Sequence, residues 1–131
     1  MIVADVNVLA YLLIPGKLTP LAEQQAELDP VWAVPRLWRS EFRNILANYL
    51  RAGQMDLADA QATFQRAEEW VGSEEYEVAT ADVLRLSHLS QCSAYDCEYV
   101  ALAEFLDLQL VTNDVKLARV FPQHTRLLGA G

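Results

Sequence analysis

Basic residues are scarce: 10 Lys and Arg face 18 Asp and Glu, leaving a formal charge of −8. A general electrostatic hold on nucleic acid shows as an excess of Lys and Arg, so any such binding here must be local or assisted by a metal ion. Cysteine is nearly absent. Cys92 and Cys97 fit neither a CxxC redox motif nor a paired-CxxC zinc site, and two cysteines cannot build a dense disulfide framework. Reduced thiols in the cytoplasm are the expectation. No apolar run reaches the roughly 18 residues of a membrane span. The opening Met1-Ile2-Val3-Ala4-Asp5 has no basic leader, so a soluble cytoplasmic protein without a membrane role is expected. No GxGxxG, P-loop or nucleophile-elbow pattern occurs, which argues against a dehydrogenase, a nucleotide-dependent kinase and a serine hydrolase. Linkers, repeats and low-complexity tracts are also missing.

What is present is an ample core. With 131 residues, 53% of them hydrophobic, one domain over 1–131 is expected. Short apolar runs alternate with longer segments of helical period, the arrangement of βα units around a parallel sheet. The reading places strands at 2–4, 31–34, 76–78, 109–112 and 125–128. Helices are placed at 7–14, 19–28, 36–51, 56–71, 80–91, 94–107 and 114–120. On the helix after Pro35, Trp38, Phe42, Ile45, Leu46 and Tyr49 share one arc, and Arg36, Arg39, Arg43 and Arg51 another. Glu41, Asn44 and Asn48 form a third stripe beside the apolar arc, an unusual place for a carboxylate.

Four acids stand out by position. Asp5 ends the first strand and Asp114 follows the run 110–113, so both occupy the carboxyl edge of a parallel sheet, where ligand sites collect. Asp96 starts a helix whose inward stripe reads Asp96, Tyr99, Val100, Ala103 and Leu106. Carboxylate oxygens are the hard ligands that Mg²⁺ and Mn²⁺ prefer, and several acids at one edge would repel each other without a cation.

The segments Val3-Ala4-Asp5-Val6-Asn7-Val8-Leu9, Ser40-Glu41-Phe42, Tyr95-Asp96-Cys97-Glu98-Tyr99-Val100-Ala101-Leu102-Ala103 and Leu110-Val111-Thr112-Asn113-Asp114 resemble, in order, the four acidic motifs of PIN domains. The resemblance spans nearly the whole chain. It implies a three-layer α/β/α fold with a central parallel sheet of four to five strands. Asp5, Glu41, Asp96 and Asp114 become the catalytic quartet, with Asp5, Asp96 and Asp114 as ligands of Mg²⁺ or Mn²⁺ and Asn7 and Thr112 as supporting residues. The implied activity is metal-dependent endoribonuclease cleavage of RNA, as the toxin of a VapBC-type toxin–antitoxin pair, with a cognate antitoxin and a homodimer. Some relatives carry another acid after the fourth motif; here Val115, Lys116 and Leu117 follow Asp114, which bears on a second metal, with Glu98 as the compensating candidate.

Blander readings compete. Asp is favoured at helix starts, and Ser93-Ala94-Tyr95-Asp96 reads as a capping box worth about 1 kcal/mol. Capping does not account for Glu41, inside its helix. Arg39 and Arg43 could contact RNA phosphates but also read as a solvated face; Lys116 and Arg119, beside Asp114, are the better phosphate candidates. His88 and Cys92 are four apart, yet no second pair completes a zinc site. Two rival functions remain: a catalytically silent PIN-like module binding RNA or protein, and a small phosphohydrolase, although Asp5-Val6-Asn7 lacks the second aspartate of a DxD nucleophile pair.

Overall fold

Five short strands carry the core. A computed structural model describes residues 1–130, so Gly131, the last residue of the expected domain, lies outside the described residues. The strands are β1 (Ile2–Ala4), β2 (Trp32–Pro35), β3 (Glu75–Tyr76), β4 (Leu110–Thr112) and β5 (Thr125–Leu127). Between them run α1 (Val6–Leu13), α2 (Thr19–Leu28), α3 (Trp38–Arg51), α4 (Leu57–Val71), α5 (Thr80–Ser90), α6 (Ala94–Leu106) and α7 (Val115–Val120). The sheet is parallel throughout in the order β3-β2-β1-β4-β5. This is the expected three-layer α/β/α arrangement.

The central strands are buried on both faces, as helix-covered parallel strands must be: β1, β2 and β4 are buried at every position. On the helical side, α1, α2, α3 and α4 pack with one another, while α5 pairs with α6, which lies against β1, β2 and β4. Right-handed crossovers put these two sets on opposite faces, because the chain moves outward from β1 to β3 and then returns to β4. The order therefore reverses at the β1–β4 boundary, where a crevice opens beyond the strand ends.

Boundaries differ from expectation by a residue or two for physical reasons. The second strand runs to Pro35 because the residues facing β3 are its neighbours: Val34 N–H donates to the Glu74 carbonyl at 3.0 Å and Arg36 N–H to that of Tyr76 at 2.9 Å. Proline's missing donor costs nothing there. Helix α3 starts at Trp38 and not at 36, since Arg36 and Leu37 form the turn out of β2. Its apolar arc is buried at Trp38, Phe42 and Leu46. Trp38 stacks on Phe64 of α4 at 5.3 Å, and Phe42 meets the same ring edge-on at 6.0 Å. Contacts of this kind add about 0.5–1.5 kcal/mol beyond area burial and fix α3, hence Glu41, against α4.

Candidate functional site

The β1–β4 boundary brings Asp5 and Asp114 together through one hydroxyl. Asp5 follows β1 directly, and its N–H donates to the Val111 carbonyl at 3.1 Å, so the ladder sets its position. Thr112, fully buried at the end of β4, donates from Oγ1 to Asp5 Oδ2 at 2.7 Å and accepts the Asp114 N–H at 3.1 Å. Asp114 also caps α7, its Oδ1 accepting the Leu117 N–H at 3.1 Å. The capping and edge roles thus coincide in this residue. At α6 the cap is Ser93, whose hydroxyl accepts the Asp96 N–H at 3.1 Å. Asp96 stands in the first turn as the partner of that cap, the position the capping-box reading gave it.

Glu41 comes from α3 and meets α6 side on. Tyr99, only 2% exposed, donates its hydroxyl to Glu41 Oε1 at 2.7 Å, joining residues 58 apart in sequence. The sequence placed Tyr99 on the inward stripe of α6, three residues after Asp96, but gave it no role. That position was the available signal.

The carboxylates perturb each other. Burial pushes the Asp5 carboxyl above its ordinary value, and the charges of Asp96 and Asp114 add to it, against the hydrogen bond from Thr112. Burial also raises Glu41, opposed by the Tyr99 hydroxyl and reinforced by Asp5, Asp96 and Glu98. Asp96 is raised by burial and by Asp114, while Ser93 and the Lys116 ammonium pull it down. Glu98 is raised by burial. Burial, followed by the Glu41 charge, drives the Tyr99 phenol well above 10. All four quartet members and Glu98 therefore share one electrostatic environment with a deficit of positive charge.

Among the described residues, no group of three or more His, Cys, Asp or Glu side chains is arranged to hold a metal ion. The donors nonetheless fit a hard divalent cation in type and charge: they are carboxylates, several with proton affinity raised by burial and then by one another's charge. In this arrangement Asp5 is turned to Thr112, Glu41 to Tyr99 and one Asp114 oxygen to the α7 amide.

Cationic candidates divide. Arg39 is occupied: its guanidinium donates to Glu68 at 2.8 Å and Glu75 at 2.7 Å and lies over the Trp38 ring. Arg43 lies over Phe64 and has no ion pair among the described residues; with Arg36 and Ser40 it lines a cavity of about 400 Å³ that reaches Glu98. Lys116 and Arg119 are exposed on α7, and the charge of Lys116 reaches Asp96. Asn7 is exposed at the start of α1, two residues from Asp5. His88 is exposed whereas Cys92 is buried, so the two face different environments.

The fold has solved counterparts. A protein from Pyrobaculum aerophilum, PAE2754, superposes with a TM-score of 0.74 at 22% identity, covering 94% of this chain and 81% of that one. A toxin–antitoxin complex from Klebsiella pneumoniae gives 0.69 at 18% identity, covering 96% of each chain. At such identities the likeness establishes the fold. Among curated proteins, no relative matches. The family model of the PIN domain matches residues 2–121, which include all four acids. The chain belongs to the PIN-domain family, whose members are generally nucleases that use divalent metal ions.

Proposed function

We propose that this chain is a metal-dependent endoribonuclease, one domain over 1–131, acting in the cytoplasm as the toxin of a toxin–antitoxin pair. The observation that carries the reading is the Thr112 hydroxyl linking Asp5 to Asp114 at the point where strand order reverses, with Asp96 and Glu41 within electrostatic reach. Asp5, Asp96 and Asp114 would hold Mg²⁺ or Mn²⁺, with Glu41 completing the quartet. When bound, a divalent ion supplies charge neutralisation, an activated water and stabilisation of the leaving oxygen.

The chain's own contribution is placement. Thr112 orients Asp5, and Tyr99 orients Glu41 and favours its ionised form. Lys116 and Arg119 on one flank, and Arg43 on the other, offer contacts to RNA phosphates, leaving the acidic edge between them. This local provision reconciles a chain of charge −8 with an anionic substrate. The toxin–antitoxin complex of the Klebsiella counterpart supports an antitoxin partner, which would cover the edge with a cationic side chain. A homodimer completes the reading.

Cleavage of structured RNA with Mg²⁺ or Mn²⁺, compared between the wild type and Asp5→Asn, tests this directly. Equal rates would sink it. Calorimetric titration with Mn²⁺ separates a catalytic centre from a silent binding module, since the module would give no heat.

A further inference from the structure

A second cavity adjoins the acidic edge, and none of the four acids lines it. It holds about 260 Å³ between α1, the turn after it, and α3, with Ala10, Ile14 and Ile45 as apolar walls. Two phenol rings, Tyr11 and Tyr49, face the space, and Asn7 and Lys17 supply polar groups at its lining. Its connection to the site is direct at both ends. Asn7 lies two residues from Asp5, and the Tyr11 hydroxyl accepts from the Asn113 amide at 3.5 Å, next to Asp114.

The cavity is preformed. Thr19 Oγ1 donates to the Tyr11 carbonyl at 2.6 Å and accepts the Gly16 N–H at 2.9 Å, which pins the 14–19 turn as one wall. The sequence assigned Tyr49 to the core arc of α3, yet it is only partly buried, because this wall stands away from it.

We infer that this cavity receives a single unstacked base of a single-stranded RNA whose backbone crosses the acidic edge. The inference rests on the ribonuclease reading and names the form of substrate it takes. Size favours one ring system, because the volume falls just below the about 300–1,000 Å³ of pockets that enclose drug-sized ligands. Composition favours a base over an apolar side chain of a protein. Aromatic faces stack on any base, the Asn7 amide and Tyr49 hydroxyl have no hydrogen-bond partner among the described residues, and the exposed Lys17 ammonium can meet a flanking phosphate. Contiguity with Asn7 and Asn113 puts the base beside the phosphate that the acids would address.

The test uses the Asp5→Asn chain, silenced for cleavage, and a short single-stranded oligoribonucleotide in which one abasic position is moved along the strand. One position should weaken binding by about 5- to 150-fold, the equivalent of 1–3 kcal/mol of base stacking. Adding Tyr49→Leu, which keeps apolar bulk but removes one of the two aromatic faces, should make the sensitive position markedly better tolerated. A profile unchanged by Tyr49→Leu, no sensitive position, or no binding of the oligonucleotide would each overturn the inference. If Tyr49→Leu does not fold, Lys17→Glu on an exposed side chain decides: affinity for the intact strand should drop severalfold, and an unchanged affinity counts against the cavity. In the cleaving chain, Tyr49→Leu should raise KM for the single strand severalfold while leaving Mn²⁺ affinity unaltered. Absence of cleavage by the wild type would defeat the catalytic reading alone, since the abasic scan is read without cleavage.

Discussion

Helix α3 stands between two sets of carboxylates that the protein treats in opposite ways. Near its start, Glu75 accepts the Trp38 indole N–H at 2.7 Å and the Arg39 guanidinium at 2.7 Å, with Arg36 at 3.5 Å. Burial pushes the Glu75 carboxyl up, but the hydrogen bonds from Trp38 and Arg39 and the two guanidinium charges together hold it below its ordinary value. Less than one turn on, Glu41 joins Asp5 and Asp96, where burial is reinforced by like charge and the carboxyls are raised. Burial opposes the charged form in both sets, more strongly at Asp5 and Glu41 than at Glu75, and only Glu75 has guanidinium partners that outweigh it. A carboxylate that the fold has paired is structural; a group of them left unpaired at a strand-order reversal is a site waiting for charge.

Removing an acid from each set gives the sharpest contrast. Asp5→Asn should lower cleavage about a thousandfold, the several kcal/mol that a metal centre contributes, while the protein stays folded. Mg²⁺ or Mn²⁺ at a hundredfold excess over Kd should stabilise the wild type by about 2.7 kcal/mol in thermal melts and leave Asp5→Asn almost unmoved. Equal stabilisation of both would place the ion elsewhere. Glu75→Ala should cost about 2 kcal/mol by leaving the buried Trp38 N–H without its acceptor, with Mn²⁺ affinity unchanged. Loss of Mn²⁺ binding in that variant would break the distinction between the two sets.

Acid titration separates the sets by sign. The contribution of Glu75 is whole above its ordinary value of 4.5 and is lost only as pH falls through the lower folded value. Asp5, Glu41 and Asp96 have raised folded values, so each costs stability above them, and the cost disappears as pH falls toward the ordinary 3.8 or 4.5. Metal-free protein should therefore gain stability on mild acidification before Glu75 is protonated, and Asp5→Asn should gain less. Chemical denaturation across the mildly acid range checks this; a wild type that only loses stability would contradict it.

The sheet and two of the acids were legible because they are local features. Apolar runs that stop at Asp5 and just before Asp114 mark strand ends, and helical period marks α3 and α6. Pairings between distant segments were not legible. Nothing local distinguishes Glu75 from its neighbour Glu74, yet one meets Trp38 and Arg39 across the sheet edge and the other a tyrosine hydroxyl. The arginine stripe looked uniform, but Glu68 and Glu75 occupy Arg39 and leave Arg43 over an aromatic ring. Thr112 was found as a companion of Asp5 only through the motif it sits in, since the hydroxyl's two hydrogen bonds depend on β1 and β4 being neighbours.

Tyr99 tests the finest part of the comparison, because it is what the acidic edge has in place of Arg39. Its hydroxyl orients Glu41 and favours the ionised carboxylate, but it brings no charge. Tyr99→Phe keeps the buried ring and removes only that donor, so the fold should persist while cleavage falls about tenfold, the lower end for losing a group that orients a metal site. Glu41 loses an interaction that lowers its pKa, so its folded value should rise and the acid limb of the pH–rate profile should move to higher pH. A packing role alone would reduce stability without moving that limb. An unshifted limb with unchanged cleavage would reduce Tyr99 to a core residue and leave Glu41 oriented by α3 alone.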